Sequence, residues 1–108
     1  MTDGMREISA TELKARQDRG DNLFVLDVRE PHEYQICNLN GKLIPLGDLS
    51  RRVNELDSSA EMVVHCRSGK RSADAIRFLQ TAGFKKLWNL KGGILAWADE
   101  VDPRMPKY

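Results

Sequence analysis

The sequence predicts an α/β fold, a five-stranded and mainly parallel sheet with helices on both of its faces. Short apolar runs rich in β-branched residues alternate with segments whose apolar residues recur at helical spacing. One run, residues 23–28, is apolar except for Asp27, as expected for a strand buried on both faces. A chain of 108 residues is long enough for one hydrophobic core but not for two, so we expect a single domain over residues 1–108.

Start and stop signals in the first part of the chain support this alternation. Residues 6–8 form a short first strand, and Ser9 with Glu12 is a capping-box pair that begins the first helix. Pro31 suits the first turn of a second helix. Residues 42–45 predict a third strand, which we place near an edge because its final proline cannot donate to a ladder.

The second part of the chain continues the same pattern. Leucine and valine recur at steps of three and four over residues 46–56, which predicts a third helix. Residues 62–65 form a fourth strand, followed by a helix from Ser72 that Gly83 ends. The remaining segments are a fifth strand at residues 86–89, a helix at 94–101 and an extended tail at 102–108.

Composition argues against several classes of function. Lys and Arg number 17 against 16 Asp and Glu, so the chain lacks the overall positive field that binds nucleic acid or anionic membranes. No apolar run is long enough to cross a bilayer or to serve as a signal peptide, and we therefore expect a cytoplasmic protein. The two cysteines, Cys37 and Cys66, are expected to be free thiols.

The segment after the fourth strand predicts a reactive cysteine. If residues 62–65 are a strand, Cys66 lies at the carboxyl edge of the sheet, where ligands bind in open parallel sheets. The following N–H groups and the next helix N-terminus would then form an anion pocket, and with three nearby cations they lower the pKa of the thiol. We expect Cys66 to be a nucleophile and the next six residues to form its substrate-binding loop. These are Arg67, Ser68, Gly69, Lys70, Arg71 and Ser72.

Side chains in and near this loop are assigned further roles. Arg67 and Arg71 are the candidates for recognising an anionic donor, with Lys70 as a more hydrated helper. Asp27 and Arg29 end the neighbouring strand and could face the same crevice. For these two we favour a structural ion pair, Arg29 with Glu33, over a catalytic role.

Alternative interpretations of Cys66 stay open at this point. A free cysteine is often simply a buried, small apolar residue. A cysteine phosphatase needs an arginine six positions after the nucleophile, where this chain has Ser72. A zinc site is disfavoured because His65 and Cys66 would point to opposite faces of a strand. Cys37 is expected to be a packed core thiol.

Three segments resemble the rhodanese domain, the sulfurtransferase fold. They are residues 26–34 (LDVREPHEY), the loop 66–72 (CRSGKRS) and residues 90–97 (LKGGILAW). More narrowly, residues 33–39 (EYQICNL) and 101–108 (VDPRMPKY) are similar to the C-terminal rhodanese domain of enzymes that activate ubiquitin-like sulfur carriers in molybdopterin or thiamine synthesis. The chain would be either an excised domain of this kind or a stand-alone relative.

The resemblance implies a two-step exchange of sulfur. Cys66 would take a sulfane sulfur from thiosulfate or a protein persulfide, and a second nucleophile would then remove it. The implied partners are a small anionic donor, a cysteine desulfurase and a ubiquitin-like sulfur carrier, and no metal or organic cofactor is implied. The rival from another class is a non-catalytic rhodanese-like module that binds a protein partner.

Overall fold

The chain builds one parallel sheet whose strands follow the predicted order along the sequence. The computed structural model describes residues 5–108. Its strands are β1 (Arg6–Ile8), β2 (Phe24–Asp27), β3 (Lys42–Leu43), β4 (Met62–His65) and β5 (Leu87–Leu90). Their order in the sheet is β1-β5-β4-β2-β3, and every pairing among these strands is parallel. The predicted five-stranded sheet is confirmed, as is the edge position of β3.

Within residues 5–108, four α-helices connect successive strands and a fifth follows β5. They are α1 (Ala10–Asp18), α2 (Pro31–Ile36), α3 (Leu49–Arg52), α4 (Lys70–Thr81) and α5 (Gly93–Glu100). The predicted capping box is present at the start of α1, where Ser9 and Glu12 exchange hydrogen bonds with each other's backbone. Helix α4 begins at Lys70, two residues before the predicted start. No helix within residues 5–108 is long and apolar enough to cross a membrane.

The single helix predicted over residues 46–56 is wrong in detail. Helix α3 is only one turn long and lies between two 3₁₀ turns, Leu46–Asp48 and Val53–Glu55. Gly47 and Asn54 are weak helix formers, and each lies in one of these tighter turns. The apolar spacing survives the break, because Leu49 is buried and Val53 still packs against the core.

Two apolar clusters cover the two faces of the sheet. Met62 and Val64 belong to one cluster and Val63 to the other, because successive residues of a strand point to opposite faces. The first cluster also contains Ala75, Ile76 and Leu79 of α4 and Leu49 of α3. The second contains Leu13 of α1 and Trp97 of α5. Helices therefore pack on both faces, as predicted.

The tail at residues 102–108 contains no helix or strand, but it is not fully extended. Met105 donates its N–H to the carbonyl oxygen of Asp102 at 3.0 Å, and its side chain packs against the second cluster. The ring of Tyr108 lies 5.4 Å from the Arg67 guanidinium carbon. The tail thus folds back so that its last residue reaches the loop after β4.

Candidate active site

Cys66 follows β4 directly, at the carboxyl edge of the most central strand. Its side chain is buried, with 1% of the residue exposed. The sulfur accepts hydrogen bonds from the N–H of Gly69 at 3.1 Å and from the N–H of Ser72 at 3.4 Å. The Ser72 hydroxyl oxygen lies 3.4 Å from the same sulfur. Loop amides at the start of α4 are thus directed at the thiol, and the sulfur satisfies helix N–H groups that lack an intrahelical partner.

Two glycines allow the loop to close around the sulfur. Gly69 has a φ of 114°, a left-handed conformation that side chains disfavour, at the residue that caps α4. Gly93 lies against the outer side of the loop, where an added Cβ would lie 2.3 Å from the carbonyl oxygen of Arg67. The start of α5 then donates to the loop, from Ile94 N–H to the Cys66 carbonyl at 3.0 Å and from Leu95 N–H to the Arg67 carbonyl at 3.2 Å. With the carbonyls bound on one side, the loop peptides present their N–H groups to the other.

The hydrogen bonds at the sulfur decide its acidity. Burial raises the pKa of the Cys66 thiol, but hydrogen bonds to the thiolate, first from the Ser72 hydroxyl and then from the Ser72, Gly69 and Ser68 amides, outweigh it, so the pKa lies below its ordinary value. From the sequence, the helix N-terminus and the three loop cations are together expected to favour the thiolate. The structure gives hydrogen bonding as the leading cause that favours the thiolate.

Arg71 is not free to bind an anionic donor, because its guanidinium group is paired with Glu33. It donates to Glu33 through its two terminal guanidinium nitrogens, from Nη1 to Oε1 at 2.7 Å and from Nη2 to Oε2 at 2.9 Å. This pair raises the pKa of Arg71 and lowers the pKa of Glu33 to about 2. Because Glu33 belongs to α2, the contact ties the start of α4 to a second helix. Arg67 and Lys70 are exposed.

The predicted pairing of Arg29 with the Glu33 carboxylate is wrong. Arg29 instead binds Asp27, with Nη2 2.8 Å from Oδ2 and Nε 3.0 Å from Oδ1, and both side chains are fully buried. Its other contacts are to the carbonyl oxygens of Glu33 at 3.4 Å and Cys37 at 2.7 Å. Asp27 and Arg29 therefore form a buried ion pair with each other, and both lie inside the protein instead of facing an open crevice.

His65 and Cys37 complete this buried polar region. His65 Nε2 lies 3.7 Å from Asp27 Oδ2, and burial lowers the pKa of the ring, against the opposing effect of the Asp27 charge. Cys37 is buried as predicted, with its sulfur 4.0 Å from Nη1 of Arg29. Within residues 5–108 no group of three or more His, Cys, Asp or Glu side chains could hold a metal ion.

The sequence argument missed Asn89. This buried residue of β5 accepts a hydrogen bond from the Ser72 hydroxyl at 2.6 Å and donates to the Gly69 carbonyl at 3.2 Å. The available signal was a polar residue near the carboxyl end of an otherwise apolar strand. In a parallel sheet that position lies beside the loops of the neighbouring strand.

Known proteins are similar to this chain in sequence and in fold. Residues 9–100 match the model of the family described as "Rhodanese-like domain". The chain is 35% identical over 101 residues to "Putative sulfurtransferase YtwF" of Bacillus subtilis, covering 93% of this chain and 97% of that protein. It is 34% identical over 118 residues to "Adenylyltransferase and sulfurtransferase MOCS3" of Arabidopsis thaliana, covering 94% of this chain and 25% of that protein.

A solved structure agrees with these sequence relatives. The rhodanese-related protein from Thermoplasma volcanium superimposes with a TM-score of 0.79 at 33% identity, covering 89% of this chain and 93% of that one. Several relatives are much longer, since the chain spans 52% of one and 26% of two others. The similarity to the MOCS3-type enzymes therefore concerns their rhodanese part. On the family match, the sequence identity and the shared fold, the chain belongs to the rhodanese-like domain family.

Proposed function

We propose that this domain is a sulfurtransferase that carries a sulfane sulfur on Cys66. The observation that supports it most directly is the pair of N–H groups, from Gly69 and Ser72, that donate to the Cys66 sulfur. Such donors stabilise a sulfur anion in a buried site without a metal ion. The family and its sulfurtransferase relatives support sulfur transfer as the class of reaction.

The first step loads the cysteine. The Cys66 thiolate attacks the outer sulfur of thiosulfate, the S–S bond of the donor breaks, and sulfite leaves with the electron pair of that bond. The new S–S bond leaves Cys66 as a persulfide anion whose charge rests on the outer sulfur. A protein persulfide, such as that of a cysteine desulfurase, can donate in the same way and leave as a thiolate.

The second step releases the sulfur. A nucleophile such as cyanide or a thiol attacks the outer sulfur, the persulfide S–S bond breaks, and the Cys66 thiolate returns. We propose a ubiquitin-like sulfur carrier with an adenylated C-terminus as a cellular recipient, supported by the similarity to MOCS3-type proteins. With this recipient the roles reverse: the outer persulfide sulfur attacks the acyl carbon of the carrier, and AMP leaves. Two external thiols then reduce the resulting acyl disulfide, which releases the carrier thiocarboxylate and the Cys66 thiol and leaves the two thiols joined as a disulfide. Two buried, unpaired cysteines support a reducing compartment such as the cytoplasm.

Access to the sulfur is part of the proposal. Cys66 is 1% exposed, so the donor must displace the outer part of the loop to reach it. Arg67 and Lys70 lie on that outer part and are exposed, which suits them to attract an anionic donor. Arg71 instead maintains the loop through Glu33.

The loop disfavours phosphate-monoester hydrolysis. A phosphatase loop needs a guanidinium group at the sixth position after the cysteine, where Ser72 instead donates its hydroxyl to Asn89. The preceding residue, Arg71, is bound by Glu33 at both of its terminal guanidinium nitrogens. A loop of this size suits one sulfur atom better than a phosphoryl group with its three equatorial oxygens.

The test follows sulfur through Cys66. The purified protein is incubated with thiosulfate, its intact mass is measured, and thiocyanate is measured after cyanide is added. We expect a gain of one sulfur atom and formation of thiocyanate, both lost in Cys66→Ser. Cys37→Ser is the matched control, because Cys37 is the other buried thiol, and it should retain both signals.

The alternatives give different results in the same samples. A non-catalytic binding module shows neither the mass gain nor thiocyanate, and that outcome would overturn the proposal. Release of phosphate from an aryl phosphate that disappears in Cys66→Ser would instead identify a phosphatase.

A further inference from the structure

Asn89 contacts the Cys66 loop at two points but does not touch the sulfur. It is 4% exposed and lies in β5, beside β4, the strand that Cys66 follows. Its Oδ1 accepts the Ser72 hydroxyl at 2.6 Å, and its Nδ2 donates to the Gly69 carbonyl at 3.2 Å. Nδ2 also lies 3.8 Å from the sulfur of Met5. A buried side chain with both ends bound to one loop is fixed in orientation.

The Gly69 carbonyl determines which way the Asn89 amide faces. A carbonyl oxygen can only accept, so the NH₂ end of Asn89 must face Gly69. The oxygen end must then face Ser72, whose hydroxyl has a single proton to donate. At 2.6 Å this contact is a short O–H···O bond, and it directs the Ser72 proton toward Asn89.

While it donates this proton to Asn89, the Ser72 hydroxyl cannot also donate to Cys66, so the bond to Asn89 opposes the lowering of the thiol pKa by this hydroxyl. Ser72 Oγ lies 3.4 Å from the sulfur. Because its proton is used in the hydrogen bond to Asn89, the oxygen presents a lone pair to the sulfur. A lone pair accepts the S–H proton of a neutral thiol but repels a thiolate. To stabilise the anion, the hydroxyl must rotate and give up its bond to Asn89.

We propose that Asn89 is a positioning residue that competes with the Cys66 thiolate for the single hydroxyl proton of Ser72. The competition makes a charge on the cysteine sulfur itself more costly. It does not penalise a charge one atom further out, because the bridging sulfur of a persulfide is uncharged and does not need the Ser72 proton. This consequence for catalysis rests on the proposed sulfur transfer, and it favours the loaded cysteine over the empty thiolate.

The test is a double-mutant cycle read out by alkylation of Cys66. The rate of reaction with iodoacetamide is measured against pH for wild type, Ser72→Ala, Asn89→Ala and the double variant, all in a Cys37→Ser background. At a pH below the inflection this rate reports the thiolate fraction and requires no sulfur transfer.

The competition predicts unequal effects of the same substitution. With Asn89 present, Ser72→Ala should change the rate less than about threefold, because Ser72 gives up one hydrogen bond to make another. In the Asn89→Ala background Ser72 is free to donate to the thiolate, and its loss should slow alkylation about tenfold and move the inflection to higher pH. Equal effects in the two backgrounds, including no effect in either, would overturn the inference.

Control variants separate this result from loss of structure and from failure of the proposed function. Asn89→Leu, of similar volume, repeats the cycle if the alanine variant does not fold. Ser59→Ala removes a hydroxyl that bonds Asp57 on the exposed surface and should leave the profile unchanged. Thiocyanate formation is measured on the same proteins. If wild type forms no thiocyanate but Ser72→Ala has unequal effects on alkylation in the two backgrounds, only the proposed sulfurtransferase is rejected. If wild type forms thiocyanate but the effects of Ser72→Ala are equal, only the role of Asn89 is rejected.

Discussion

Replacing Glu33 by Gln removes the carboxylate that ties the start of α4 to α2. Both Glu33 oxygens bind Arg71, and Oε1 also accepts the N–H of Glu30 at 2.9 Å. Glu33 is 4% exposed, so water cannot replace these partners without opening the contact. We expect the Gln variant to be less stable at neutral pH, by an amount that depends on pH.

The magnitude follows from the acidity of the carboxyl group. The Arg71 hydrogen bond is the leading cause that lowers the pKa of Glu33 from 4.5 to about 2. At about 1.36 kcal/mol for each pKa unit, this difference corresponds to about 3 kcal/mol at pH 7. Because the folded pKa is the lower one, the stabilisation is fully present above pH 4.5 and is lost as the pH falls toward about 2.

Urea denaturation of wild type and Glu33→Gln at several pH values measures this effect. We expect a difference of about 2 to 3 kcal/mol at pH 7, since Gln keeps part of the hydrogen bonding, and a shrinking difference below pH 4.5. Glu55→Gln is the control, because the pKa of Glu55 is also lowered to about 2 while its side chain is 38% exposed. Solvent screening should make that substitution far milder. Equal losses in the two variants, or a Glu33→Gln loss that does not change with pH, would refute the reasoning.

Three further expectations concern the loop and the buried ion pair. The iodoacetamide rate of Cys66 against pH should have its inflection below that of a free thiol, because hydrogen bonding lowers its pKa; an inflection at the free-thiol value contradicts the site as described. Gly93→Ala should destabilise the domain by more than about 2 kcal/mol in urea and slow alkylation, since its Cβ would lie 2.3 Å from the Arg67 carbonyl at a φ of 63°. A well-folded Gly93→Ala with an unchanged profile would show that the loop does not need this close approach. Asp27→Asn leaves Arg29 buried without a counter-charge and should cost about 3 to 5 kcal/mol in urea, whereas a loss below about 1 kcal/mol would mean that the backbone carbonyls alone satisfy the guanidinium.

Local signals were sufficient to predict the sheet and the position of Cys66 at its carboxyl edge. Residues 62–64 are apolar and fall on both faces of the strand, so a continuous apolar run of this length identifies a buried strand whichever way the helices pack. The glycine at position 69 and the cations after Cys66 then identify the loop. In the third helix, the apolar spacing correctly marked the buried face, but weak helix formers shortened the helix itself.

The sequence alone does not predict which side chains pair in the folded protein. Arg29 could pair with Asp27, two residues before it, or with Glu33, four residues after it. The packing of the interior places its guanidinium group on Asp27. Glu33 then bonds Arg71, which is 38 positions away in the sequence. Because such contacts depend on how α2 meets the start of α4, no local pattern contains them.

The polar and charged groups of the loop differ in the distance over which they act. Arg71 is bound by Glu33, and the hydrogen bonds to the Cys66 sulfur among the described residues come from Gly69 and Ser72. Amide dipoles act at contact distance in a buried site, where dissolved salt screens them little. Arg67 and Lys70 are exposed, and their field is screened beyond about 10 Å at 0.1 M salt. Ionic strength should therefore weaken the attraction of the proposed anionic donor while leaving the acidity of the thiol unchanged, because buried hydrogen-bond donors set that acidity and exposed side chains act only on the approach of the donor.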